Sequence, residues 1–182
     1  LSVMLKKAVP VSGDKHDYMS QARYFWPDPS KPDGLPYINR DGHSNPEIYL
    51  LDRYKLSETA YRVTTLSLAY FFTGKEKYVE KAVEFLKVWF LNDETRMNPS
   101  LEYAQMIPGH NGGKGRQYGI LDTYSFVEML DSVVLLEDSE ALSGFCPYRK
   151  GNHTPYIASQ LCSSSVGKRR RSGFSSGADG SL

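Results

Sequence analysis

The apolar positions of this chain fall into three stretches with helical spacing, while two long stretches, one before the first and one before the third, have none. From about Pro46 or Asp52 to Phe72, Leu56, Ala60, Val63, Leu66 and Tyr70 recur three or four positions apart, the interval that lines one face of an α-helix. Gly74, after Thr73, suits the left-handed turn that ends a helix. In the second stretch Tyr78, Ala82, Phe85, Leu86 and Trp89 form a stripe that Val79, Val83 and Phe90 widen. Glu76, Lys77, Glu80, Lys81, Glu84 and Lys87 take the opposite, solvent side. The short connection at 73–75 predicts that these two helices lie antiparallel as neighbours. A third helix is predicted from near Asp122 through Phe126, Val127, Leu130, Val133, Val134 and Leu136, with Asp122 or Thr123 as its N-cap.

The stretches without helical spacing are unusual in composition. Residues 15–38 read KHDYMSQARYFWPDPSKPDGLPYI. Pro27, Pro29, Pro32 and Pro36 forbid a regular helix or a central strand. Tyr18, Tyr24, Phe25, Trp26 and Tyr37 offer flat apolar faces, interleaved with Lys15, His16, Asp17, Arg23, Asp28, Lys31 and Asp33. Stacking faces beside charged hydrogen-bonding groups suit a polar, ring-shaped ligand such as a sugar. The same rings could equally anchor a long loop onto a helical core. Residues 92–121 form the second such segment, and a compact domain keeps segments of this length mostly for function. It carries Arg96, Asn98, Tyr103, Gln105, His110, Asn111 and Arg116 with glycines at 109, 112, 113 and 115. Those glycines are no phosphate-binding loop, because no strand precedes them and GGKGR lacks the closing Lys-Ser/Thr.

Composition narrows the classes. Forty per cent apolar and 13% aromatic residues fit a globular protein of 182 residues with a sizeable core. The net charge of +1 averages two unlike parts: residues 143–182 hold 6 Lys/Arg against 1 Asp/Glu, which leaves the first 142 residues at about −4. No apolar run reaches the ~18 residues that a membrane-spanning helix needs. No signal peptide is legible, and the chain opens on Leu1 rather than Met, which leaves room for a preceding segment. Both cysteines, Cys146 and Cys162, lie after residue 142, so a disulfide framework is excluded. Two cysteines with His153 fall short of the four ligands of a zinc site. After residue 142 the chain is rich in serine and glycine and carries a KRRR run. We expect 143–182 to be disordered and not an evolved part of the fold. A lone basic run without interleaved aromatics does not make a nucleic-acid surface.

The runs SGDKHDYMS (12–20), FWPDPSKPDGLPYI (25–38), RMNP (96–99), YAQMIPG (103–109) and GILDT (119–123) resemble the alginate lyase family of helical-toroid polysaccharide lyases. The resemblance covers about residues 2–142. It implies an all-α fold, an incomplete α/α toroid of helical hairpins whose long loops line a cleft. It implies a partner too, an anionic polysaccharide such as alginate, with no nucleic acid, no membrane insertion, no metal and no cofactor. The implied reaction is β-elimination in a 4-linked uronate chain, and the implied location is periplasmic or secreted.

The Asn-His pair and the Arg and Tyr that complete the family's site lie downstream of the matched region, so no catalytic residue is assigned. Asn152–His153 comes too soon after the last helix to be that pair. On this reading the chain is an incomplete, inactive lyase, and the alternative is a non-catalytic helical carbohydrate-binding module. The expected substrate contacts are Lys15, His16, Tyr18, Trp26, Asn98, Gln105 and Arg116. Lys15 and Arg116 would meet carboxylates, Trp26 and Tyr18 would stack, and Asn98 and Gln105 would bond hydroxyls. An open ring would also leave Phe85, Trp89, Phe126 and Val133 without partners.

Overall fold

The computed structural model of the chain describes residues 1–145. The expectations about residues 146–182, including Cys146, Cys162, Asn152, His153 and the KRRR run, lie outside the described residues. Two of the predicted helices form close to their predicted bounds. Helix α1 spans Asp52–Thr73 and stops at Gly74, whose φ of 63° lets its N–H reach the Tyr70 carbonyl. Helix α2, Glu76–Leu86, follows after two residues and packs back along α1.

Instead of ending at Leu86, the chain widens into a π-helical turn over Lys87–Leu91, which closes with the Asn92 N–H on the Lys87 carbonyl. Such a turn shifts the phase of a helix face. Trp89 is consequently fully buried in a second cluster with Val3, Tyr18, Leu56 and Ala104. The main core is made by α1, α2 and helix α3, Ser125–Val133, and contains Val63, Val79, Leu86, Met129, Val133 and Leu136. The short helix α4, Glu140–Phe145, is tied to α2 through Glu76, whose carboxylate accepts from the Ser139 hydroxyl at 2.7 Å and the Ala141 amide at 3.2 Å.

Three expectations need correction. Phe85, Trp89, Phe126 and Val133 do find partners: Trp89 and Val133 are buried, and Phe85 and Phe126 pack against the core. The exposed large side chains are others, among them Tyr61, Leu68, Phe71 and Phe72 on α1 and Tyr124 and Val127 around the start of α3. Asp122 does not cap α3, because residues 117–123 form a 3₁₀ helix of their own and α3 starts without a side-chain cap. Thr123 does not cap it either; its hydroxyl bonds back to the Ile120 carbonyl.

The chain is mainly helical without being purely so. Strand β1, Met19–Gln21, pairs in parallel with β4, Tyr103–Met106, with Met19 opposite Tyr103 and Gln21 opposite Met106. Strands β2, Phe25–Trp26, and β3, Ile38–Asn39, form an antiparallel pair. These strands are too short to show as alternating patterns in the sequence. The β1–β4 pair, whose own residues are all buried, nevertheless joins the two long non-regular segments.

A candidate substrate groove built on a buried aspartate

Two glycines bring residues 115–119 hard against β4. A Cβ on Gly115 would collide with the backbone of Ala104, and one on Gly119 would sit 2.6 Å from the Ala104 side chain. Gly115 and Gly119 are therefore glycines for close approach. The Gly115 N–H bonds the Glu102 carbonyl at 2.7 Å and the Arg116 N–H bonds the Ala104 carbonyl at 3.0 Å. Arg116 is thereby fixed beside β4, with its guanidinium 5.4 Å from the centre of the Phe25 ring and 5.3 Å from that of Tyr118. Its Nε–H donates to the Gln105 carbonyl at 3.1 Å.

Beside it opens a groove of about 490 Å³, lined by Ile107, His110, Asn111, Lys114, Arg116 and Tyr118 among others. His110 is oriented by donating from Nε2 to the Tyr37 carbonyl at 2.9 Å and meets Phe25 edge-on. A carbonyl can only accept, so Nε2 carries the proton. Lys114 is paired with Glu102 at 2.7 Å. The groove thus offers a guanidinium held between two aromatic rings, a feature suited to a carboxylate on a sugar ring.

Joined to Arg116 through Gln105 is Asp122, 2% exposed. Its carboxylate accepts from the Tyr18 hydroxyl at 3.0 Å, from the Ser20 hydroxyl and from the Gln105 side-chain amide at 2.7 Å, and it is paired with Arg53 Nε at 3.3 Å. Burial, reinforced by the adjacent Asp122 charge, pushes the Tyr18 hydroxyl far above the ordinary tyrosine range. Tyr18 is accordingly a permanent proton donor to Asp122 and no base.

The structure places the seven expected contact residues in three groups. Tyr18, Gln105 and Arg116 come together around Asp122. Tyr18 is fully buried, so it has no ring face for a sugar. Gln105 is 7% exposed, with its amide nitrogen directed at Asp122 rather than outward. Lys15, His16 and Asn98 gather elsewhere. Asn98 donates to Asp14 at 2.9 Å and Asp17 at 2.8 Å, and its N–H bonds the His16 carbonyl. His16 Nδ1 donates to the Arg96 carbonyl at 2.6 Å, while the Lys15 carbonyl accepts from Lys6. Trp26 stands apart, half-buried, donating from its indole to the His43 carbonyl at 2.8 Å with the Arg40 guanidinium 5.6 Å from its ring centre.

Sequence reasoning did not single out Ser20, Arg53 or Tyr118, and it read Asp122 only as a cap. Tyr118, two positions from Arg116, is the one with a local signal. Among the described residues no cluster of three or more His, Cys, Asp or Glu could hold a metal ion, and no helix is long and apolar enough to cross a membrane.

The family model for alginate lyase matches residues 2–145. The chain belongs to the alginate lyase family. Its structure also superposes on the crystal structure of an alginate lyase from Bacteroides ovatus with a TM-score of 0.79 and 52% sequence identity, over 90% of this chain and 40% of that one. The chain therefore spans two fifths of that alginate lyase. The comparison with curated proteins finds no match.

Proposed function

We propose that this chain supplies part of the substrate cleft of a polysaccharide lyase acting on alginate or a related 4-linked polyuronate. The observation that carries the reading is Arg116, held between Phe25 and Tyr118 at the edge of an open groove in a chain of the alginate lyase family. Arg116 meets a uronate carboxylate, the exposed face of Tyr118 meets the C–H face of the sugar, and His110 and Asn111 lie within the same groove for its hydroxyls. Lys15, His16, Trp26 and Asn98 serve neighbouring sugars along the polymer.

The reaction is β-elimination. A uronate C5 proton becomes acidic when its carboxylate is neutralised; a base removes it, and the C4–O bond breaks to leave a 4,5-unsaturated sugar. Neutralising the carboxylate is a role that Arg116 fills. Tyr18, locked as a donor to Asp122, is not the base, and we assign no catalytic base or acid. The helical hairpins and their long loops belong to an α/α toroid that the chain forms only in part, and alone it turns over little or no substrate. The protein works on extracellular or periplasmic polymer.

The test is to incubate the purified chain with alginate while following the ultraviolet absorbance of unsaturated uronate, and to measure binding of an alginate oligomer by calorimetry. Binding without product, lost in R116A, is the expected result. Product formation would overturn the inactivity. Absence of binding would overturn the polyuronate reading.

A further inference from the structure

We infer that Asp122 is the positioning residue for Arg116, acting through a strained Gln105; the inference rests on the reading of the groove as a polyuronate site. Gln105 has φ of 56°, a left-handed conformation that is uncommon outside glycine and costly for a long side chain. A glycine would make the same turn without strain, so the glutamine side chain has a task of its own. Two groups hold it. Its amide Nε2 donates to Asp122 at 2.7 Å, its backbone N–H donates to the Ser20 hydroxyl at 2.7 Å, and Ser20 in turn donates to Asp122. Both restraints on Gln105 therefore end at one carboxylate.

The left-handed turn aims the Gln105 carbonyl at Arg116 Nε, 3.1 Å away, and its side-chain oxygen lies 3.5 Å from Arg116 Nη2. With Nε clamped on that edge, the guanidinium stays 5.4 Å from the Phe25 ring centre and 5.3 Å from that of Tyr118 and lines the groove. Arg53 Nε lies 3.3 Å from the same Asp122 oxygen that accepts from Gln105, so a guanidinium stands directly against this buried, multiply hydrogen-bonded carboxylate. The line from Asp122 through Gln105 to Arg116 is one of orientation. Asp122 itself, 2% exposed, does not touch substrate.

The experiment follows the Arg116 Nε–H by nitrogen-15 NMR in the full chain, comparing the parent with D122N and Q105G, and uses the Trp26 indole N–H, bonded to the His43 carbonyl, as an internal control. D122N weakens the buried network and is liable to unfold; Q105G relieves the left-handed strain and keeps the fold. The expected result is that the Arg116 Nε–H exchanges with water at least tenfold faster in Q105G while the Trp26 signal stays within twofold, and that affinity for an alginate oligomer falls at least tenfold. Arg116 exchange within twofold of the parent in Q105G would overturn the inference. If exchange accelerates but the parent binds no alginate oligomer, the positioning stands and the polyuronate reading falls.

Discussion

Lys6 Nζ lies 2.9 Å from Asp52 Oδ2, and neither side chain has any exposed surface. The same ammonium also donates to the Val3 carbonyl at 3.1 Å and the Lys15 carbonyl at 2.7 Å, so one buried cation ties the N-terminal residues and the start of the aromatic loop to the first turn of α1. Asp52 Oδ2 in addition takes the Met19 amide at 3.0 Å. Burial pulls Lys6 below the ordinary lysine range and pushes Asp52 above the ordinary carboxylate range, and their mutual attraction opposes both shifts.

Removing one partner strands the other in the interior. K6M is expected to cost about 3–5 kcal/mol in urea unfolding at pH 7, whereas K6M with D52N recovers most of that loss. The pH dependence has a defined sign. Asp52 already sits above its unfolded value, and without Lys6 the shift grows. A raised carboxyl contributes stability that is full below the unfolded value and lost as pH rises through the folded value. K6M should therefore regain stability between pH 7 and pH 5 more than the parent does; equal slopes for the two proteins would refute this account.

Two glycines separate strain from crowding. Gly74 has φ of 63° and open space around it, so G74A should cost about 1 kcal/mol from backbone strain alone and leave oligomer binding unchanged. Gly115 lies against the Ala104 backbone, so G115A must displace the segment that carries Arg116. Overpacking there is expected to cost about 1–3 kcal/mol and to lower oligomer affinity as well. Thermal melts beside calorimetric titrations compare the two, and a G115A protein with parental affinity would contradict the geometry.

Truncating the rings that flank Arg116 should weaken binding without touching the core. Tyr118 is 52% exposed, so Y118A is expected to reduce affinity for an alginate oligomer roughly threefold to tenfold, the range of one stacking contact of about 0.5–1.5 kcal/mol, with a melting temperature close to that of the parent. Parental affinity in Y118A would remove the ring from the site.

Tyr61, Leu68 and Phe72 recur along α1 and are 72%, 43% and 78% exposed. Apolar side chains at helical spacing in solvent favour association. The chain should form concentration-dependent oligomers in sedimentation experiments, and L68K with F72E should return it to the monomer. A monodisperse parent at high concentration would show that the stripe is harmless.

The periodic parts of the fold were legible because their energetics are local. Leu56, Ala60 and Val63 mark α1, and Gly74 ends it, through interactions within a few residues of each other. The π-helical turn that buries Trp89 was not legible, since nothing in 87–91 distinguishes it from ordinary helix. The site was legible in part. Arg116 stood out as a cation in a glycine-rich loop, but Asp122 looked like a cap because its partners are remote: Ser20 is 102 positions away and Tyr18 is 104. Tyr18 and Gln105 were singled out for polar and aromatic character, and the same character serves a buried network just as well as a ligand. Periodicity cannot tell these apart, because it carries no information on which loop returns to which.

The parallel pairing of β1 with β4 also bears on the order in which the molecule forms. Helices α1 and α2 lie wholly between the two strands in the chain, so the hairpin can assemble from near neighbours while the strand pair waits on a long closure, and contacts of such separation form slowly. On a ribosome the hairpin would be complete before residues 103–122 emerge to meet β1. Until they do, Ser20 and Tyr18 have no carboxylate to bond, and the exposed strand edge at Met19–Gln21 is the point at which a newly made chain is open to mispairing with another.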